Sequence, residues 1–219
     1  MVGGRLSGAE EATLRWFAAL QKQCNEAFLP LLFDTHRFLV LKGGGGSGKS
    51  IFAGQKLIER AATERGHRFL ICRKVGRTLR DSCFRQLCEQ ARQLHPEAID
   101  YIPRGQSSDM YLRFRNGSEF LFAGLDDAEK LKSIYNITGI WIEEASEITE
   151  SDFNQLDIRL RGETRYYKQI ILSFNPISIH HWLKKRFFDR TDERARVHES
   201  TYADNRFLDA EQIRTLEGF

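Results

Sequence analysis

Two short segments of this chain carry residue types that can do chemistry together. The first runs Lys42-Gly-Gly-Gly-Gly-Ser-Gly-Lys-Ser50, and Gly43 to Ser50 fits G-x-x-x-x-G-K-[ST] in full. Gly43, Gly44, Gly45, Gly46 and Gly48 let successive backbone N–H groups turn inward without Cβ clashes, and Ser47 completes the loop. A phosphate held there gains a helix N-terminus beneath it. Lys49 is then the group to reach the terminal phosphates of a nucleotide such as ATP, and the Ser50 hydroxyl is a ligand for Mg2+. The second segment, Thr138-Gly-Ile-Trp-Ile-Glu-Glu-Ala145, ends an apolar run in two adjacent carboxylates. We assign Glu143 to the metal, through its water shell, and Glu144 to polarising an attacking water. The same residues read blandly would be a flexible glycine loop and two solvated acids at a strand end.

These groups need rigid elements that bring them to one edge. Phe38 to Leu41, Phe69 to Cys72, Ile140 to Ile142 and Ile170 to Phe174 are short apolar runs, as strands of a covered parallel sheet require. Helical patterns lie between them, at about Lys49 to Arg65, Thr78 to Leu94, Glu150 to Leu160 and His180 to Phe188. The alternation predicts an α/β fold of the P-loop NTPase type, a mainly parallel sheet sandwiched by helices with right-handed crossovers. Between Tyr111 and Phe122 two alternating segments flank Asn116-Gly117, which predicts an inserted β-hairpin with a type I′ turn. No linker or repeat divides residues 1–219, so one domain is expected.

Composition narrows the function without naming it. Thirty-three Lys and Arg against 30 Asp and Glu leave a net charge of +3, which permits a polyanionic partner but does not demand one. Cys24, Cys72, Cys83 and Cys88 form no CxxC pair and the histidines lack zinc spacing, so a reduced setting is expected rather than a disulfide framework. Arg5, Glu10, Glu11 and Arg15 interrupt the N-terminus, and no apolar run approaches the ~20 residues that span a bilayer. The expectation is a protein that is neither exported nor membrane-bound. Trp16, Trp141 and Trp182 sit in apolar patterns and read as core.

The fourth apolar run, Ile170-Ile-Leu-Ser-Phe-Asn-Pro176, ends in polar residues at the edge where a terminal phosphate lies. Asn175 is therefore a candidate to sense that phosphate, although Asn-Pro also ends strands as a plain turn. The adjacent acids and the lack of an Arg-bearing lid favour hydrolysis over phosphoryl transfer to a small molecule. Basic residues at Arg73, Lys74, Arg77 and Arg80, and at Lys184, Lys185 and Arg186, are candidates for non-sequence-specific contact with nucleic-acid phosphates. An ordinary solvated surface reads the same way.

Taken together, KGGGGSGKS at Lys42 to Ser50, the NGS hairpin followed by FAGLDDAEKLKSI at Phe122 to Ile134, GIWIEEASEIT at Gly139 to Thr149, and SFNP followed by HHWLKKRFF resemble the large terminase subunit of tailed bacteriophages. The resemblance covers nearly the whole chain. It implies an ASCE-type ATPase that uses ATP and Mg2+ to drive double-stranded viral DNA into a procapsid. It also implies a C-terminal RNase H-like nuclease in the full-length protein, beyond Phe219. Implied partners are the portal protein, the small terminase subunit and further copies of the chain in a ring. The implied location is the host cell cytoplasm, transiently at the procapsid portal. Gly45 stands where many members carry an Arg, and Lys132 stands where a trans-acting Arg is common; Lys132, Arg159 and Arg161 are the candidates for that positive charge. Two other readings remain: a different P-loop translocase, helicase-like, and a nucleotide-gated binding module without significant hydrolysis.

Overall fold

A computed structural model describes residues 18–102 and 110–218. Trp16 and the charged residues before it lie outside the described residues.

Among the described residues eight strands form one sheet: β1 (Phe38–Gly43), β2 (Arg68–Arg73), β3 (Ile99–Tyr101), β4 (Tyr111–Phe114), β5 (Glu119–Gly124), β6 (Gly139–Glu143), β7 (Gln169–Phe174) and β8 (Ala195–Ser200). Their order is β3-β4-β5-β2-β6-β7-β1-β8. All pairings from β5 to β8 are parallel, while β4 runs antiparallel to both β3 and β5. The four apolar runs read from the sequence are β1, β2, β6 and β7, the centre of the sheet. Their period-two alternation sorts side chains into two cores. Leu39 and Leu41 pack on one face with Phe52, Leu57 and Ile58 of helix α1 (Lys49–Thr63) and Leu87 of α2 (Arg85–Leu94). Phe38 and Val40 pack on the other, with Phe153 and Leu156 of the helix Glu150–Arg159 and Leu183 and Phe187 of the helix Trp182–Phe187. The result is a three-layer sandwich, in which a strand buried on both faces has no polar side to show.

In chain order, further helices among the described residues are α3 (Ala128–Ser133), α4 (Glu150–Arg159), α5 (Trp182–Phe187) and α6 (Ala210–Glu217). Thr149 caps α4 by accepting from the Asp152 amide, and Asp152 returns the bond to the Thr149 amide, so two orphan donors are satisfied at once. The helix predicted from Thr78 begins differently. Arg80–Phe84 is a π-helical turn, with the Phe84 amide bonded to Leu79 O at 2.9 Å, and α-helix follows from Arg85.

The hairpin is present, but its turn is not type I′. Only Gly117 takes a positive φ, of 86°, and Asn116 does not. The Gly117 amide closes the turn on Phe114 O at 3.0 Å. Asn116 is held by its side chain instead: Nδ2 donates to the carbonyls of Ala61, Ala62 and Glu64 at the end of α1, and Oδ1 accepts from the Ser118 amide. Capping that helix end replaces the local preference for two left-handed residues. The hairpin is also no separate lobe, since β5 pairs along its length with β2.

Candidate functional site

The strand order puts β7 between β1 and β6, so the ends of the strand before the glycine loop and the strand before the acids lie about 10 Å apart. Register levels them. Leu41 pairs with Ser173, and Ser173 with Glu143; one strand further, Cys72 pairs with Ile142, which brings Arg73 beside Glu143. These are the carboxyl ends of parallel strands, the edge at which such folds collect ligands.

The glycine loop turns on Gly46 (φ 73°) and Gly48 (φ 85°). A Cβ at Gly43 would lie 2.6 Å from Ser200 O, and one at Gly48 would lie 2.5 Å from Asn25 Nδ2, so these positions admit no larger residue. Gly48 is the N-cap of α1 and offers no side chain to its first amides, which leaves them for an anion. Lys49 is buried and donates to Gly44 O at 3.2 Å and to Asn175 Oδ1 at 2.9 Å. Burial pulls its pKa below the usual lysine value, against the opposing pull of Glu144 and Glu143. The two carbonyl oxygens stand where phosphate oxygens would sit around an ammonium. Asn175 itself is exposed just past β7, and Ser50 is partly exposed in the first turn of α1.

Across β7, Glu143 is buried with its Oε2 2.9 Å from Arg73 Nε. The two atoms face each other without hydrogen-bond alignment, so each has a charge partner but an unsatisfied direction. Burial raises the Glu143 pKa above the usual carboxylate value against Arg73, with Glu144 and Glu147 adding to the rise. A buried carboxylate with an unused lone pair suits a hydrated cation. Glu144 is only partly buried and adopts left-handed backbone angles, φ 52° and ψ 51°. Consecutive strand residues point to opposite faces, yet the charges of both Glu144 and Glu143 act on Lys49. A left-handed non-glycine residue is costly, and nothing in Glu-Glu-Ala signals it.

Beside Gly48 opens a cavity of about 410 Å3, lined in part by Asn25, Phe28, Ile51, Phe52, Asn205 and Phe207. Phe28 and Phe52 stack at 4.8 Å between ring centres.

Other predicted residues are placed elsewhere. Lys132 is exposed on α3, which follows β5; three strands separate β5 from β1, a span of roughly 19 Å. The chain's own fold therefore does not set Lys132 beside Lys49. Arg159 donates to Leu131 O at 3.1 Å, tying α4 to α3, while Arg161 is exposed. Of the basic segments, Arg73 belongs to the acid pair rather than to a surface, which sequence reading missed. Lys74 pairs with Asp152 at 3.2 Å, and Arg77 is exposed. Lys184 pairs with Asp189, and Arg186 lies 4.7 Å from the Phe153 ring centre with Nη1 3.1 Å from Asn154 Oδ1. Lys185 is exposed. Trp141 is fully buried and donates from Nε1 to Ser173 Oγ at 2.9 Å; Trp182 packs on Phe153. The four cysteines are free and buried. Among the described residues no helix is long and apolar enough to cross a membrane.

Comparison with known proteins gives consistent matches. A family model described as "Phage terminase large subunit" matches residues 35–219. The PBSX phage terminase large subunit of Bacillus subtilis (strain 168) is 33% identical over 221 aligned positions, covering 90% of this chain and 49% of that protein. The large terminase of a thermophilic bacteriophage superposes with a TM-score of 0.73 at 20% identity, over 88% of this chain and 49% of that one. The complex of that terminase with ATP-gamma-S gives a TM-score of 0.69 at 19% identity, over 88% and 48%. The chain thus spans about half the length of the relatives it matches.

Proposed function

The chain belongs to the phage terminase large subunit family, and from that premise we propose that residues 1–219 form a single ATPase domain whose hydrolysis of ATP drives double-stranded DNA into a procapsid. The observation that carries the reading is Lys49, buried at the mouth of a left-handed glycine loop with both Glu143 and Glu144 bearing on it. The thermophilic phage terminase binds ATP-gamma-S, and this site offers the parts for the same ligand. The first-turn amides of α1 and Lys49 hold the phosphates, and the nucleoside occupies the cavity beside Gly48. Ser50 and, through water, Glu143 hold Mg2+, which when bound supplies charge neutralisation for the transferred phosphoryl group.

Glu144 orients and deprotonates the attacking water. Asn175 holds Lys49 when no terminal phosphate is present and gives it up when one arrives, which links phosphate occupancy to the exit of β7 and to α5 beyond it. Lys132, exposed and away from its own site, serves the site of a neighbouring copy in a ring, with Arg161 as the second exposed candidate. DNA, the portal protein, the small terminase subunit and a C-terminal nuclease complete the machine in the host cytoplasm.

The test is ATP binding and turnover with Mg2+, with and without duplex DNA. Lys49→Ala should lose nucleotide binding. Glu144→Gln should still bind Mg-ATP while turnover falls by about 10² or more. Unchanged binding in Lys49→Ala overturns the loop assignment. If Glu143→Gln binds without turning over and Glu144→Gln stays active, the two acid roles are exchanged. If both acid variants hydrolyse ATP like the parent, the acid assignments are wrong; nucleotide binding by the parent chain with no Mg2+-dependent turnover, with or without DNA, leaves a nucleotide-gated binding module.

A further inference from the structure

The phosphate loop is braced from outside by two asparagines that its sequence motif does not include. Asn205, in the stretch between β8 and α6, donates from Nδ2 to Gly46 O at 2.6 Å. Its Oδ1 accepts from Asn25 Nδ2 at 3.0 Å and from the Phe207 amide at 3.1 Å. Asn25, the N-cap of the 3-10 helix Glu26–Phe33, presses the same Nδ2 against Gly48. One amide pair thus touches both left-handed glycines of the loop and joins three segments distant in sequence. Apolar contacts reinforce it: a Cβ on Gly46 would lie 2.7 Å from Leu216 of α6 and 3.5 Å from Leu208.

The consequence for phosphate binding follows from peptide geometry. In a trans peptide the C=O and the next N–H point in opposite directions. Pinning Gly46 O outward on Asn205 therefore turns the Ser47 N–H inward, where the amide nitrogen donates a long hydrogen bond of 3.4 Å to Gly44 O across the loop. Glycine at φ of 73° samples many other conformations when unrestrained, so a loop without the brace must be ordered by the ligand, at a cost in affinity.

We propose that Asn205, with Asn25 behind it, is a positioning residue for nucleotide phosphate: it sets the Gly46–Ser47 peptide and so preorganises the loop. The proposal rests on the nucleotide-binding reading above. It makes the segment from Thr201 to Glu217 part of the phosphate site, although it touches no phosphate.

Two substitutions separate this role from a purely structural one. Asn205→Asp keeps the acceptor for Asn25 and for the Phe207 amide but replaces the donor to Gly46 O with a carboxylate oxygen; Asn205→Ala removes both. Binding of a fluorescent ATP analogue with Mg2+ and thermal unfolding without nucleotide are measured on the 219-residue chain. Both variants should bind about five- to tenfold more weakly, the size of one ordinary hydrogen bond. KM should rise with kcat changed less than twofold, and the unfolding midpoint of Asn205→Asp should stay near that of the parent. Asn25→Ala combined with Asn205→Ala should weaken binding by less than the product of the single effects. Parent-like affinity in Asn205→Asp overturns the proposal, as does an affinity loss in Asn205→Asp matched by an equal loss of stability. Lys49→Ala, run alongside, keeps the failures apart. If it loses binding while Asn205→Asp does not, the brace alone is wrong; if both bind like the parent, the nucleotide reading is wrong.

Discussion

Replacing Arg73 by Ala tests the electrostatic design of the acid strand. The side chains of Arg73 and Glu143 are 17% and 11% exposed, with Nε and Oε2 2.9 Å apart. Removing one member of a pair this buried leaves the other charged and unsolvated, a loss of about 3 kcal/mol at the lower end of the range for such pairs. For a chain of 219 residues that corresponds to a fall in the unfolding midpoint of roughly 6–12 °C. The loss should depend on pH with a definite sign. Burial already raises the folded pKa of Glu143, and losing Arg73 raises it further, while the unfolded value stays near the usual carboxylate. Below the unfolded pKa the group is protonated in both states and there is no penalty. The penalty grows as pH rises from the unfolded pKa to the folded one and is complete above it. Thermal unfolding monitored by circular dichroism at pH 5 and pH 8 should therefore give a larger Arg73→Ala deficit at pH 8. Adding Glu143→Gln should recover most of the stability, since a neutral amide needs no counter-charge. A deficit under 2 °C, or no recovery in the double variant, refutes the reasoning.

Gly124→Ala puts a Cβ 2.0 Å from Asp126 Oδ1 and 2.3 Å from the Gly76 amide nitrogen; the loop after β2 must shift, and the midpoint should fall by about 4–8 °C, or roughly 2 kcal/mol of overpacking. Ser173→Ala leaves the fully buried Trp141 indole N–H without its acceptor, and urea unfolding should show a loss of about 1–3 kcal/mol. Lys56 Nζ donates to the carbonyls of Leu31, Leu32 and Asp34 at 2.7, 2.9 and 2.8 Å, and burial pulls its pKa from 10.5 to about 7. Between those values the unfolded chain holds a proton that the folded one releases, so stability gained from this group rises with pH across the window. Lys56→Met should be less stable and should lack that rise when unfolding free energies are compared at pH 7 and pH 9; parallel pH profiles would contradict it.

Local chemistry in the sequence determined the loop, the acids and the four central strands. Glycine spacing is demanded by the backbone conformation of a phosphate loop, and runs such as Ile170 to Leu172 are apolar at every position because both faces of their strand are covered. Those are properties of a residue and its near neighbours, so they are written locally. The edge strand β8 was not legible, since Ala195 to Ser200 is mostly half-buried or exposed and carries only Ala195 and Val197 as apolar residues among polar ones; its place is set by pairing with β1. The type I′ expectation failed for the same kind of reason, because the side chain of Asn116 answers to the end of α1 rather than to its own turn. Only the tertiary structure decided that Arg73 faces Glu143 instead of solvent, that Glu144 bends into the left-handed region, and that Asn25 and Asn205, far apart in the chain, meet at Gly46 and Gly48. Each of these depends on which strands and loops become neighbours. A charge or an amide reads identically in sequence whether its partner is water or a residue brought to it by the fold.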